Sequence, residues 1–475
     1  MSSFVHRVIR RCCFAAGLIA AAAGHPGSTV HADWPRFLGP QIDGSVHDTP
    51  TLQAVAATDW TAKPRLVWSL DVGEGYGIGT LRDGRYYQFD AVTDAPAVPA
   101  RFRPASQSER LRCIELSSGE VLWSHATPLD YRDMYGYEAG PRSSPTIDRD
   151  QIFTFGVRGR LTCRDLKTGQ AQWSAQTSDD FGVVQNFFGV ASAPLVLGDA
   201  VIVMVGGSPP ADQDVAPGRL DRLSPDGTGL VAFDRRSGKV KWKCVDDLAS
   251  YSSPRPVVID GTTCVLCFAR DHLWCVDAER GEVLWKVRHR ADLLESVNAM
   301  TPVVSDQRVF VSECYGVGSV LLDVSGDEPK EIWKDPPLDR RNMAMRSHWA
   351  TPVLKDGFLY GGSGRNSPDS DLRCIDLSSG RVRWTALERR RCSVTLAGDK
   401  LLVMEERGDL HIAEADPEKW SPLASHDLAD ADSMAGNADE SRLTYPCWSA
   451  PVVSGDKVLV RGDRRVICLS FPPKN

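Results

Sequence analysis

Short apolar runs, separated by glycine, aspartate and serine, recur along most of the chain. In a typical unit the turn Gly198-Asp199 precedes the apolar run Val201-Ile-Val-Met-Val205, and a run of the pattern Leu-x-small-x-Asp follows further on. Runs of four to eight residues between such turn residues predict β-strands, because helices need longer amphipathic segments. Each unit is therefore predicted to form four short antiparallel strands, and the chain to be all-β.

One phrase within the units ends on tryptophan. In its clearest form it runs from Leu111 to Trp123 with Gly119 four residues before the tryptophan, and the same spacing holds at residues 161–173, 230–242, 273–285 and 372–384. Aspartate or serine can hydrogen-bond the turn backbone, and glycine adopts the positive φ that a short hairpin requires. Weaker copies end at Trp333 and Trp420, and Trp68 stands alone near the start.

A second phrase precedes each copy and consists of a small residue, proline and two apolar residues. Thr301-Pro302-Val-Val and Thr351-Pro352-Val-Leu are examples. Successive repeat tryptophans lie 36 to 69 residues apart. Four-stranded units at this spacing, with loops of variable length, are typical of a β-propeller.

Closure of the ring predicts the number of blades. The last unit, residues 450–471, supplies three strands without a tryptophan strand, whereas residues 66–70 form a tryptophan strand without the other three. Pairing the two completes an eighth blade and removes the open edges of a linear array. We therefore expect eight blades, or seven if the weak unit at residues 401–420 is not a full blade.

The chain start has the organisation of a secretory signal peptide. Arg7, Arg10 and Arg11 precede an apolar run at residues 12–23, and Val30-His31-Ala32 precedes Asp33. The apolar run is too short to span a bilayer, although a transit or anchor segment is the alternative. We expect a signal peptide at 1–32, an N-terminal extension at 33–63 and one propeller at 64–475. No Leu-x-x-Cys lipidation pattern is present, so we expect the mature chain in the periplasm or secreted. We also expect it to be a monomer.

Composition and charge narrow the classes of partner. Hydrophobic residues make up 42% of the chain, which excludes a disordered protein, and no later stretch reaches 18 consecutive apolar residues. The formal net charge is −7, or −10 without the three arginines of the signal. An acidic exported protein is not expected to bind nucleic acid. The sequence contains neither Gly-x-Ser-x-Gly nor His-Glu-x-x-His, so a hydrolase finds no support.

The cysteines are predicted to be small buried residues rather than a metal site or a disulfide framework. Several occupy the same slot of the third strand in different blades, too far apart for a disulfide. Cys264 and Cys267 are spaced so that they lie on opposite faces of one strand. The next residue is Phe268, which argues against covalent haem, and a second C-x-x-C for zinc is missing. The short acidic clusters lack a calcium loop.

The repeat tryptophans are predicted to pack against neighbouring blades, because each keeps a fixed spacing from a turn glycine. This set comprises Trp68, Trp123, Trp173, Trp242, Trp285, Trp333, Trp384 and Trp420. Of the other five tryptophans, only Trp349 and Trp448 fall in segments expected to face the channel.

Candidate ligand-binding residues lie in the connections from a tryptophan strand to the next blade, which lead to the central channel. The selected residues are Tyr137, Glu138, Arg142, Asn186, Asn298, Arg346, His348, Trp349 and Trp448. The same connections carry Tyr131, Tyr135, Tyr251, Glu295, Arg341, Asn342, Arg390 and Arg391. Several converging arginines would suit an anionic ligand. Alternatively, these groups only hydrogen-bond and solvate a channel.

The tryptophan phrase resembles the docking repeat of pyrroloquinoline-quinone-like propellers, the superfamily of the quinoprotein alcohol dehydrogenases. The segment Asp33-Trp-Pro-Arg-Phe-Leu-Gly-Pro40 with Asp43-Gly44 is similar to the opening of secreted bacterial members of this group. The resemblance covers nearly all of the chain after the signal. It is specific for the fold and says little about activity.

What the resemblance implies for activity is divided. The family's enzymes hold the quinone beneath a disulfide between adjacent cysteines, bind calcium through Glu and Asn, and use an Asp base. The adjacent pair here, Cys12-Cys13, lies in the signal region. Glu138 and Asn298 lie in the kind of loop that carries the family's calcium ligands, but no Asp in this sequence can be matched to the family's catalytic base. Enzymes that bind the quinone without the disulfide exist, whereas the absent lipidation cysteine argues against the role of the related outer-membrane assembly lipoprotein.

Two functions follow as hypotheses. The first is a non-catalytic exported propeller that binds a protein, peptide or carbohydrate partner without a cofactor. The alternative is a quinone-dependent alcohol or polyol dehydrogenase, with pyrroloquinoline quinone and calcium at the channel.

Overall fold

The repeat folds into eight sheets, seven of four strands and one of five, in a computed structural model that describes residues 33–93, 106–137, 139–429 and 442–474. The predicted signal peptide at 1–32 and the candidate residue Glu138 lie outside the described residues. Every sheet contains strands that are consecutive along the chain, and the all-β prediction and the count of eight blades are confirmed.

The strands of the first four blades follow a short strand and the closing strand near the chain start. Their bounds are β1 Ser45–Val46, β2 Arg65–Asp71; β3 Thr80–Arg82, β4 Arg85–Val92, β5 Ser106–Glu115, β6 Val121–Tyr131; β7 Thr146–Asp148, β8 Gln151–Phe155, β9 Arg160–Asp165, β10 Ala171–Gln176; β11 Leu195–Leu197, β12 Ala200–Met204, β13 Leu230–Asp234, β14 Val240–Cys244; β15 Arg255–Ile259, β16 Thr262–Phe268, β17 His272–Asp277 and β18 Val283–Arg288.

The other four blades follow in the same order. Their bounds are β19 Val303–Ser305, β20 Arg308–Glu313, β21 Gly318–Asp323, β22 Lys330–Lys334; β23 Val353–Lys355, β24 Phe358–Ser363, β25 Asp371–Asp376, β26 Val382–Ala386; β27 Cys392–Ala397, β28 Lys400–Glu405, β29 Asp409–Glu414, β30 Ser421–Asp427; β31 Val452–Ser454, β32 Lys457–Arg461 and β33 Arg465–Ser470. The helices are α1 Thr49–Ala57 and α2 Thr177–Asp180, with 3-10 turns at Pro210–Asp212, Leu220–Arg222 and Ser367–Asp369.

Blades 1 to 7 each use four consecutive strands, from β3–β6 to β27–β30. Blade 8 has the order β2-β33-β32-β31, in which β2 pairs antiparallel with β33 through Trp68 and Cys468. The predicted closure by the two ends of the chain is therefore confirmed. The weak unit at residues 401–420 belongs to a complete blade 7, so the seven-blade alternative does not apply.

Tryptophan from one blade packs on a turn glycine of the next. Trp68 Nε1 donates a hydrogen bond to the carbonyl of Leu116 at 2.8 Å, and a Cβ at Gly119 would lie 2.7 Å from the indole. Gly119 has φ +77°, so both its conformation and its contact require glycine. The same contact joins Trp123 to Gly169, Trp173 to Gly238, Trp242 to Gly281 and Trp333 to Gly380.

Trp420 departs from the predicted register. It precedes β30, and Ala424 pairs with Ile412 in the slot that tryptophan fills in other blades. The extra residues in the β29–β30 turn place Trp420 against Trp384 of blade 6, with ring centroids 5.7 Å apart. Trp384 Nε1 donates to the carbonyl of Asp416 in the same turn at 2.9 Å. Trp420 therefore packs where the other blades have a turn glycine.

Hydrogen bonds between neighbouring inner strands explain the phrase of a small residue and proline. Thr146 Oγ1 donates to the carbonyl of Pro194 at 2.7 Å, and Thr395 Oγ1 to the carbonyl of Pro451 at 2.6 Å. Proline has no N–H, so it suits a position just before the inner strand, where only its carbonyl takes part in a hydrogen bond. The phrase thus joins blade to blade around the channel.

The segment at residues 33–46 spans the channel. Trp34 forms an antiparallel bridge with Leu81 of blade 1, and Pro35 accepts a hydrogen bond from Ile147 of blade 2 at 2.7 Å. Leu38 packs in the core shared by blades 3 and 4, and β1 pairs parallel with β27 of blade 7. The segment therefore contacts inner strands on both sides of the channel.

Helix α1 fastens the closing blade. Its N-cap is Asp48, and it is followed by Trp60, which stacks on Phe471 with centroids 4.9 Å apart. The chain end returns to the helix, since the N–H of Lys474 donates to the carbonyl of Ala57 at 2.7 Å. These contacts add to the β2–β33 pairing where the ring closes.

The cysteines of the described residues are all free thiols, eleven in number. Cys264 packs in the core between blades 4 and 5, and Cys267 in the core between blades 3 and 4, so the two lie on opposite faces of β16 as predicted. In the part of the chain that the structure describes, no helix has the length and apolar character needed to cross a membrane.

Candidate functional site

A cavity of about 240 Å³ lies where the inner strands begin, at the centre of the ring. Aromatic rings and two arginines from the connections between blades form one part of its wall. We call this part of the wall the aromatic cup; it consists of Tyr76, Tyr137, Phe188, Tyr251, His348, Trp349, Trp448, Arg142 and Arg391.

The two tryptophans of the cup share one arginine. Trp349 and Trp448 have ring centroids 5.1 Å apart, and the Arg391 guanidinium lies 4.9 Å and 5.0 Å from their centroids. Arg391 also donates from Nε to Glu406 at 2.6 Å. Burial raises the pKa of the Glu406 carboxyl, but hydrogen bonds from Arg391 and Ser367 outweigh it and hold the pKa below its usual value.

One buried carboxylate shapes the loop on the other side of the cup. Asp133 Oδ1 accepts the N–H groups of Tyr135 and Tyr137 at 2.9 Å and 3.1 Å, while Oδ2 accepts Arg142 Nη2 at 2.9 Å. The Arg142 guanidinium lies 5.7 Å from the centroid of Phe188. Asp133 therefore positions Tyr135, Tyr137 and Arg142 together.

The glycine-rich loop at residues 72–79 brings Tyr76 to the cup. Arg461 of β32 is almost fully buried and donates to the carbonyls of Gly73, Gly75 and Gly77. Three carbonyls held by one guanidinium fix the path of a loop that has few side chains of its own. The Tyr76 ring consequently lies 4.7 Å from that of Trp448.

His348 is a neutral member of the cup. Its Nε2 lies 3.2 Å from the hydroxyl of Tyr315, and its ring packs on Trp349 with centroids 4.9 Å apart. Burial lowers the pKa of His348 to about 3, and the charges of Arg365 and Arg391 act in the same direction. The histidine therefore carries no charge at neutral pH.

The N-terminal segment also lines the cavity. Trp34, Phe37 and Leu38 form an apolar floor next to the aromatic cup. The sequence indicated only Trp349 and Trp448 as channel tryptophans, and Trp34 is a third. Its role follows from the crossing of the channel by residues 33–46, which a repeat pattern does not encode.

Of the nine candidate residues, the cavity wall includes Tyr137, Arg142, His348, Trp349 and Trp448. Glu138 lies outside the described residues. The other three, Asn186, Asn298 and Arg346, are buried behind the loops and not in this wall. Arg391 and Tyr251, from the wider set, also line the cavity.

The three residues outside the wall serve the loops themselves. Asn186 Nδ2 donates to the carbonyl of Ala249 at 3.1 Å. Asn298 Nδ2 faces three backbone carbonyls, including that of Ala269 at 2.9 Å. Arg346 donates to both oxygens of Asp369 at 2.8 Å. A polar residue that stabilises a loop cannot be distinguished in sequence from one that faces the channel.

Each arginine of the cup has a carboxylate partner. Arg142 pairs with Asp133 and Arg391 with Glu406. The expectation of an anionic ligand stays a prediction, and an anion would have to compete with these buried carboxylates for the guanidinium groups. Tyr76 and Phe188 also line the cavity and were not predicted from the sequence.

The arrangement does not fit the quinone and calcium of the related dehydrogenases. A flat ring held between two others needs about 7 Å between parallel faces, twice the usual carbon contact distance. Trp349 and Trp448 touch each other at a tilt of 47°, with Arg391 across them. The amide donors of Asn298 face carbonyls, and the described residues contain no cluster of three His, Cys, Asp or Glu side chains able to hold a metal.

The fold and repeat define a class, the pyrroloquinoline-quinone-like eight-bladed propellers. A family model described as outer membrane protein assembly factor BamB matches residues 61–219 and 225–389. Because the match covers more than half of the chain, the protein belongs to this family.

Individual relatives are distant. An uncharacterized protein of Rickettsia conorii is 25% identical over 230 residues, which cover 47% of this chain and 51% of that protein, so the chain spans about half the length of this relative. BamB from Moraxella catarrhalis is 15% identical with a TM-score of 0.55, covering 87% of this chain and 99% of that one. Quinohemoprotein alcohol dehydrogenase from Comamonas testosteroni is 13% identical with a TM-score of 0.60, covering 93% and 81%. These likenesses concern the fold.

Proposed function

We propose that the protein is a non-catalytic binding module that holds a polypeptide partner on the face where its blade-to-blade connections lie. We call this surface the loop face; its large exposed apolar residues are Met134, Tyr135, Tyr137, Leu293, Leu338 and Tyr445. They are six of the sixteen large apolar residues that are exposed in the described part of the chain. Their position in the connections beside the aromatic cup carries the proposal, because exposed apolar and aromatic patches mark protein interaction sites.

The exposure of these residues is large. Tyr135 is 55% exposed, Leu338 83% and Tyr445 54%. They come from connections after blades 1, 5 and 7, so they are spread around the mouth rather than along one loop. Such a distribution suits a partner that covers the mouth as a whole.

The family membership supports a polypeptide partner, since the family is described as an outer membrane protein assembly factor. We further propose that the chain is exported by a signal peptide at 1–32 and acts in the cell envelope. The ion pairs of Arg142 and Arg391 with buried carboxylates favour a role without quinone, calcium or enzymatic activity. The tilted rings of Trp349 and Trp448 favour the same role.

Photo-crosslinking tests the proposal. Benzoylphenylalanine in place of Tyr135 or Leu338 should give adducts with the same polypeptide in intact cells. The matched control is Val258, which is 58% exposed but lies near the hairpin turn at the other end of its inner strand. Adducts of equal yield at Val258, or different polypeptides at the two loop positions, would contradict the proposal. So would quinone-dependent dye reduction with an alcohol substrate.

A further inference from the structure

Several hydroxyl groups around the cup already donate hydrogen bonds within the fold. Ser393 Oγ donates to the carbonyl of Trp448 at 2.7 Å, and Ser449 Oγ to the carbonyl of Tyr76 at 2.6 Å. Thr395 Oγ1 donates to the carbonyl of Pro451 in the same way. A ligand rich in hydroxyl groups, such as a saccharide, would lose its hydrogen bonds to water and find these groups engaged. Each unreplaced hydrogen bond opposes binding.

The charges of the cup are also engaged. The side chains of Asp133 and Glu406 are 1% and 3% exposed, and each forms an ion pair with a cup arginine. Removing either arginine from its partner to bind an anion would leave a buried carboxylate unpaired. The cup is therefore complementary to an uncharged occupant.

The remaining recognition surface consists of aromatic rings above an apolar floor. Two tyrosine rings lie beside Trp448 at one side of the cup. The ring centroids of Tyr76 and Tyr137 are 4.7 Å and 6.3 Å from that of Trp448. Grooves lined by tyrosine and tryptophan bind proline-rich segments, and closed apolar pockets bind single anchor side chains of a partner. Trp34 and Phe37 form this floor, and Tyr137, which is partly exposed, lies at the loop face.

We propose that the aromatic cup binds an uncharged apolar peptide segment, a loop tip or chain end that inserts proline or aromatic side chains. The inference rests on the proposed polypeptide-binding function and specifies the chemistry of the segment that enters the cup. A cavity of about 240 Å³ takes one or two side chains, which makes the cup the anchor point of a larger contact on the loop face.

Fluorine NMR of the full chain labelled with 5-fluorotryptophan tests the inference. The probe is the blocked peptide acetyl-Pro-Pro-Trp-Pro-Pro-amide, and resonances are assigned with Trp349→Phe and Trp448→Phe. The peptide should shift the signals of Trp349 and Trp448 and leave that of Trp274, in the core of blades 3 and 4, unchanged. Trp448→Ala should weaken binding about tenfold or more, because stacking and burial are lost together.

Controls separate ligand chemistry from folding. Trp420→Ala, at a ring outside the cavity wall, should bind the peptide as the wild type does, and Trp448→Phe should recover part of the affinity lost in Trp448→Ala. The inference is overturned if the peptide shifts neither tryptophan, or if maltotriose or the same peptide with aspartate in place of tryptophan shifts them as strongly. Crosslinks at Tyr135 and Leu338 without peptide binding in the cup would overturn this inference alone and leave the proposed function standing.

Discussion

The ion pair of Arg391 and Glu406 leads to a prediction about stability. Its side chains are 15% and 3% exposed, and Arg391→Met keeps the aliphatic stem while removing the charge. Removing one partner of a buried pair costs about 3–5 kcal/mol. Glu406 keeps a hydrogen bond from Ser367 and a contact of 3.4 Å with Trp448 Nε1, so we expect a loss of about 3 kcal/mol at pH 7.

The loss should depend on pH. The folded pKa of Glu406 lies below its usual value, so the contribution of the pair is present above the unfolded pKa of about 4.3 and is lost as pH falls through the folded value. In Arg391→Met burial acts without the arginine and raises the pKa of Glu406. The difference between variant and wild type should therefore shrink towards pH 4, and adding Glu406→Gln should recover most of it at pH 7.

Urea unfolding followed by far-ultraviolet circular dichroism at pH 7 and pH 4.5 measures these differences. Arg288→Met is the matched control, because its pair with Asp292 has side-chain exposures of 54% and 83%. Exposed pairs contribute about 0–1 kcal/mol. The reasoning is refuted if Arg391→Met is no less stable than Arg288→Met at pH 7, or if its deficit stays constant at low pH.

Two further predictions concern contacts between blades. Gly238→Ala puts a Cβ 2.6 Å from Trp173 at φ +69°, whereas Gly261→Ala meets the same kind of φ with nothing within 4 Å. We expect losses of about 3 and about 1 kcal/mol in urea unfolding, and equal losses would contradict the docking role of the glycine. Burial raises the pKa of Glu109 to about 7. The buried carboxyl therefore costs the folded protein no stability at low pH, and the protein loses stability as pH rises from about 4.3 through 7. Between pH 4 and pH 8 the wild type should lose about 3 kcal/mol more stability than Glu109→Gln, and parallel pH profiles would exclude this.

The blade architecture was predictable because each repeat carries its own strand and turn signals. The spacing from Gly119 to Trp123 encodes a contact between adjacent blades, and closure follows from the incomplete units at the two chain ends. Trp420 shows the limit of this reasoning. Its register depends on the length of the turn before β30. The extra residues in that turn move Trp420 out of the slot that other repeat tryptophans occupy, and Ala424 fills the slot instead.

The cup was only partly predictable. Trp349, Trp448 and Arg142 stand out as unusual residues in channel-facing connections, and the structure brings them together. Asn298 stands out equally but donates to backbone carbonyls, because a long connection needs internal partners for its own polar groups. The floor formed by Trp34 depends on a contact between the chain start and distant blades, which no local pattern specifies.

The most direct test of the central claim is photo-crosslinking from the rim of the cup. Benzoylphenylalanine in place of Tyr137, which is 45% exposed and lies beside Trp448, samples both the loop face and the cavity. Mass spectrometry of the adduct from intact cells should identify one polypeptide, joined through a segment rich in proline or aromatic residues and poor in charge. An adduct confined to a glycan, or no adduct in cells where the protein is expressed and folded, would contradict the claim.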